Sequence, residues 1–227
     1  MNTRGLLDQL LKSGQELLQK QSGHSGANKG KSGGLGSLLS GAGGGALAGG
    51  AMGLLLGNKK ARKFGGKALT YGGLAALGVL AYKAYGNWQA NQAAAPKGEP
   101  QTIDRLPAAQ AEQHSQAILK ALVAAAKSDG HVDEQERELI EGEFVKISGN
   151  DRELQQWLHN ELNKPLDPAD VARAASTPEM AAEMYLASVM LVDEEHFMER
   201  AYLDELARQL RLDPALKTEL EQQVRTI

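Results

Sequence analysis

No aspartate or glutamate occurs between Leu17 and Gly98, and this acid-free stretch limits what the chain can become more than any other feature. Residues 1–98 hold 23 of the 26 glycines, with 12 bases against 2 acids. Residues 99–227 carry 13 bases against 26 acids. The whole-chain charge of −3 therefore hides a basic half and an acidic half, which points to two environments. A basic, glycine-rich half suits an anionic membrane surface or nucleic acid. The acidic half repels phosphate and excludes nucleic acid as its partner. Cysteine is absent, which removes disulfides, thiolate zinc sites and cysteine nucleophiles.

The chain divides into four stretches. Residues 1–34 pair an amphipathic helix with a Gly/Ser linker. Leu6, Leu7, Leu10, Leu11, Leu17 and Leu18 share one stripe at the helical period, as expected of an interfacial helix or one that docks on a partner. Residues 35–88 form a glycine-rich region expected to associate with membrane lipid through one or two spans. Leu35 to Gly57 has no charged residue over 23 positions. A second uncharged run, Ala68 to Tyr82, extends to Trp88 if Lys83 reaches out to the interface. It is the stronger span, with Tyr82, Tyr85 and Trp88 placed as an aromatic belt. Gly41, Gly45, Gly49, Gly53 and Gly57 recur every four residues, a spacing that lets membrane helices approach and supports a homo-oligomer through this segment. Residues 89–107 read as a linker.

Residues 108–227 read as an all-α domain of about seven helices. Ile118, Leu119, Leu122, Val123 and Ala126 make one buried stripe. Gly130 suits the left-handed position after a helix end, and Asp133 with Glu136 forms a capping box for the next helix. That helix ends near Gly149, and Asn150 caps the one after. Asp167-Pro168, Thr177-Pro178 and Asp213-Pro214 open three more. No alternating run marks a strand.

Two acidic turns carry the candidate chemistry. Asp129 sits at a helix C-terminus, where negative charge is unfavourable, beside His131, Asp133 and Glu136. Asp193, His196 and Glu199 form a comparable group downstream. Carboxylate and imidazole donors of this kind hold divalent ions such as calcium, magnesium or manganese. Capping and turn formation explain the same residues without a metal. His24 and His114 lie in polar surroundings and read as surface residues, His159 as a packing residue. Met180, Met184 and Met190 read as core. No hydrolase, zinc-protease or phosphate-loop pattern occurs, so no catalytic residue is assigned.

The run Ala125-Ala126-Lys127-Ser128-Asp129-Gly130-His131-Val132-Asp133, followed by Glu136, resembles the opening motif of TerB-like (tellurite-resistance) domains. Val192-Asp193 through Arg200-Ala201-Tyr202-Leu203 resembles their second motif, without the glycine after the aspartate. Over nearly its full length the chain is similar to the YebE-like family (domain of unknown function family 533) of bacterial inner-membrane proteins. The resemblance implies an all-helical bundle with internal pseudo-symmetry. It also implies metal binding at Asp129, Glu136, Asp193 and Glu199 only; His131, Asp133 and His196 are accessory candidates by their position in the two turns.

Three functions follow as expectations. The first is a membrane-anchored helical binding module of the bacterial envelope. The second is a scaffold that docks a protein partner through its helical domain or N-terminal helix. The third is a metal-dependent hydrolase, for which only acids that caps can explain are on offer. Five bases between Lys59 and Lys67, ahead of the stronger span, place that stretch in the cytoplasm and the acidic domain in the periplasm.

Overall fold

The computed structural model describes residues 3–7, 73–92, 98–130, 134–149, 151–192 and 196–226. Its helices are α1 (Gly73–Asn91), α2 (Ala108–Ala126), α3 (Glu134–Ser148), α4 (Arg152–Asn163), α5 (Pro168–Ala172), α6 (Pro178–Leu191), α7 (Phe197–Gln209) and α8 (Pro214–Arg225). Residues 3–7 form a further helical stretch, and no strand occurs among the described residues. The seven helices expected beyond residue 107 are α2 to α8.

The helix starts follow from local chemistry. Thr177 accepts from Met180 N at 3.1 Å, Asp167 from Ala169 N at 2.9 Å, and Asp213 from Ala215 N at 2.8 Å. Each is followed by a proline whose fixed φ suits the first helical position and whose missing N–H costs nothing there. One start falls a residue later than expected: Asp151, not Asn150, accepts from Leu154 N at 3.0 Å and caps α4. Gly130 and Gly149 close α2 and α3 with φ of 112° and 58°, the conformation that glycine adopts without steric cost.

α6 is the central helix. It packs against α1, α2, α7 and α8, and Met180, Met184, Tyr185 and Leu186 are buried. A helix covered on all sides is largely apolar all round rather than amphipathic, and of its two acids, Glu179 in the first turn and Glu183, only Glu183 lies in the core. That carboxylate is fully buried. Oε1 accepts from Ile103 N at 2.6 Å, and Oε2 lies 2.5 Å from Nδ1 of buried His114 on α2. Burial pushes the Glu183 carboxyl up from its ordinary range, because charge is costly where water is excluded. His114, expected on the surface, is thus a core residue. His159, expected in packing, is exposed and meets Glu141 at 2.8 Å.

The N-terminal stretch docks on the same domain. Thr3 N and Arg4 N donate to Glu112 Oε1 and Oε2 at 2.6 and 3.0 Å, so a distant carboxylate caps this turn. Burial raises the Glu112 carboxyl, but the bonds from Arg4 and Thr3 outweigh it and leave the group below its ordinary value. Leu6 and Leu7 lie in the core. Four of the six leucines of the expected stripe, Leu10, Leu11, Leu17 and Leu18, fall outside the described residues, as does the run Leu35 to Gly57 with its glycine repeat.

The stronger expected span is corrected. α1 covers most of residues 68–88, yet it packs against α6 and α8. Leu74, Leu77, Ala81, Ala84 and Tyr85 are buried, while Ala75, Val79, Lys83, Asn87 and Ala90 form an exposed stripe. No described helix is long and apolar enough to cross a membrane. The aromatic residues that suggested an interfacial belt have protein partners. Tyr82 lies under the Arg105 guanidinium, 3.8 Å from its ring centre, and Tyr85 meets the edge of Trp88 at 5.0 Å. The periplasmic placement depended on this crossing and loses that support. Residues 98–106, expected as a free linker, run along α1 as a strap: Gly98 O accepts from Gln89 Nε2 at 3.0 Å, and Ile103 is buried.

Gly78 decides how closely the strap approaches. A Cβ there would meet Asp104 Oδ1 at 2.5 Å, and Asp104 N and Ile103 Cγ2 at 3.0 Å. Gly78→Ala is therefore expected to destabilise the protein by about 1–3 kcal/mol through overpacking, read as a lower urea midpoint. In a free or lipid-facing helix the same change gains about 1 kcal/mol of helix propensity. An unchanged or raised midpoint would contradict the docked position of α1.

Candidate functional site

The turn that ends at Gly130 lies against Met198 in the first turn of α7. α2 ends at Ala126 and its chain turns through Lys127 to Gly130. Three of its four residues have a structural task that their chemistry explains. Lys127 is half-buried, and its ammonium donates to Glu161 O at 2.8 Å and to Lys164 O. These are terminal carbonyls of α4, which lack helical partners and attract positive charge. Burial lowers the Lys127 ammonium from its ordinary value despite the neighbouring Glu161. Ser128 is buried and donates to Ala125 O at 2.7 Å. Gly130 packs against the second turn: a Cβ placed on it would meet Met198 Cε at 3.0 Å and Sδ at 3.5 Å.

The sequence-derived donors fall as follows. Asp129 is exposed on its turn. Glu136 lies on α3 near its N-terminus. Glu199 is buried in the first turn of α7, with His196 Nδ1 3.8 Å from its Oε1. His131, Asp133 and Asp193 lie outside the described residues. Among the described residues no group of three or more His, Asp or Glu side chains stands close enough to hold a metal ion.

What the sequence reading missed on this face is apolar. Phe197 is 82% exposed and Met198 49% exposed at the start of α7, and Met198 lies against the Gly130 turn. The signal was in the sequence: Phe197 and Met198 interrupt an otherwise acidic segment, Asp193 to Glu199. Their placement next to the first turn was not.

A cleft of about 680 Å³ opens on another side, between the C-terminal end of α1 and the α5–α6 and α7–α8 junctions. Its walls include Tyr85, Trp88, Arg173, Arg211 and Asp213. Arg173 is engaged with Asp170 at 2.6 Å, and Asp170 also meets Lys120 at 2.7 Å. These partners hold the Asp170 carboxyl down at about 2. Thr177 and Asp213 spend their side chains on capping α6 and α8. The lining contains no histidine or glutamate to serve as a general base for a nucleophile.

Comparison with known proteins places the chain by sequence. A family model described as "Protein of unknown function (DUF533)" matches residues 41–224. A relative from Yersinia enterocolitica, described as an uncharacterised protein in the ampR 5′ region, is 35% identical over 114 residues, which is 50% of this chain and 81% of the relative. No solved structure matches.

The contact between the turns can be dissected. Gly130→Ala would place a side chain at φ 112° and is expected to cost about 1–3 kcal/mol in backbone strain. The Met198 terminus can move aside, so Met198→Ala should not recover that loss. A double-mutant cycle by chemical denaturation checks this. Full rescue by Met198→Ala would show that side-chain crowding, not backbone geometry, fixes the turn.

Proposed function

The chain belongs to the DUF533 family, whose description assigns no function, and we propose that it is a non-enzymatic helical binding module associated with the bacterial inner membrane. Its binding face is the one where the Gly130 turn meets the start of α7. The observation that carries this reading is the exposure of Phe197, 82%, beside Met198 packed against Gly130. A phenylalanine that buries little in the monomer gains nothing from folding. Large apolar side chains held out at the start of a helix are typical anchors of protein contacts. The surrounding half of the chain has twice as many acids as bases, which selects a protein partner with basic side chains around an apolar socket. Membrane association is supported by the uncharged run Leu35 to Gly57 and the five bases between Lys59 and Lys67.

A divalent cation at the same face is the second reading. It is favoured by the packing of the Asp129 turn against the segment that carries Glu199, and it needs Asp133, His131, Asp193 or Glu136 to complete the donor set. A photocrosslinking residue at position 197 in the full chain, expressed in bacterial cells, tests the docking reading. Discrete adducts are expected at 197 and none with the probe at exposed Arg208, about three helical turns further along α7. Absence of adducts at 197 would sink it. A melting temperature that rises with calcium, magnesium or manganese in wild type but not in Asp129→Asn would favour the cation instead.

A further inference from the structure

We infer that the chain completes no membrane crossing, and that its N-terminal helix and its helical domain lie together on the cytoplasmic face of the membrane. The inference rests on the membrane association proposed above and says how that association is made.

The argument begins at the two ends of residues 8–72. At one end, Thr3 N and Arg4 N are bound by both oxygens of Glu112, and Leu6 and Leu7 are buried in the domain core. At the other end, Leu74 and Leu77 enter the same core within the first turns of α1. Both ends are therefore fixed to one domain, and whatever lies between them leaves it and returns. A chain that returns to its starting side crosses a bilayer an even number of times.

Two helical crossings need about 40 apolar residues and a turn. The longest uncharged stretch in this interval, even counted from Ser32 to Asn58, is 27 residues. Lys59, Lys60, Arg62, Lys63 and Lys67 follow it, and Ala68 to Gly72 is too short to span before α1 begins. Two extended strands would fit the length but would leave their edges unpaired in lipid. Two crossings are excluded on length and one is excluded by the fixed ends, so none remains.

Charge then assigns the side. Lys12, Lys20, Lys29 and Lys31 precede the uncharged stretch, and Lys59 to Lys67 follow it. Bases flanking a span favour the cytoplasm. Bases on both flanks conflict for a segment that crosses once and agree for one that does not. They also attract the anionic inner leaflet by about 1 kcal/mol each near its surface, which gives a one-sided attachment its electrostatic part.

The lack of cysteine makes the test direct. Ser22→Cys and Thr226→Cys are placed singly in the full chain, and spheroplasts are treated with a membrane-impermeant maleimide before or after lysis. Membrane pelleting is followed in parallel. Both cysteines are expected to be shielded in intact spheroplasts and labelled after lysis, with the protein in the membrane fraction. Labelling of one cysteine but not the other in intact spheroplasts would show a net crossing and overturn the inference. Labelling of both would put the domain on the periplasmic side and overturn it equally. Loss of the protein from the membrane fraction would instead remove the association proposed above, while the labelling pattern still decides sidedness.

Discussion

A carboxylate with no solvent exposure sits in the middle of the central helix, and the arrangement of the domain depends on how it is satisfied. Glu183 accepts from Ile103 N and faces His114 Nδ1. A buried carboxylate without partners costs several kcal/mol, so α6 cannot take its central place unless the 98–106 strap and α2 are already against it. The strap in turn lies along α1, with Asp104 and Ile103 against Gly78 and Arg105 over Tyr82. One polar group thus ties together the helix that the sequence marks as most apolar, the segment that reads as a linker, and the helix that reads as a membrane span. A second carboxylate, Glu112, does the same for the N-terminal turn.

The remainder of the domain is built from short helices whose ends are specified locally. Proline after a capping side chain starts α5, α6 and α8. Lys127 closes the far end of α4 from another element. These devices fix the turns that carry the two acidic motifs. They explain why the first motif is so regular without giving most of it a ligand: Lys127, Ser128 and Gly130 are each committed to holding the turn, and only Asp129 points its chemistry outward. The exposed pair Phe197 and Met198 is the part of this face with no structural task large enough to account for it.

Much of this was legible in the sequence, and the failures have physical causes. Helix content, the seven helices beyond residue 107 and three of the caps follow from periodicity and capping chemistry, both of which are local. Asp151 displaced Asn150 as the α4 cap because adjacent capping residues differ only in which one reaches the Leu154 amide. His114 looked exposed because its neighbours Gln113 and Gln116 are polar, while its partner Glu183 is 69 residues away. His159 looked buried because it follows Leu158, but one residue along a helix turns the side chain by about 100°. α1 was misread for a deeper reason: a face that meets a protein core and one that meets lipid have the same composition. What separates them is Gly78, Tyr82 and Tyr85, whose partners lie beyond the helix itself. Of the candidate site, the acidic donors could be named from sequence. The contact between the turns could not, because it joins Gly130 to Met198 across the fold.

The central claim is that α1 is part of the domain and is held there by the strap anchored on Glu183. Amide hydrogen exchange of the full chain, in detergent-free solution and on anionic vesicles, addresses it most directly. The account predicts that amides of residues 74–91 exchange as slowly as those of α6 in both conditions, and that Glu183→Ala speeds exchange in α1 and in the strap together. Protection of α1 only in the presence of vesicles, or fast exchange there while α6 stays protected, would contradict it.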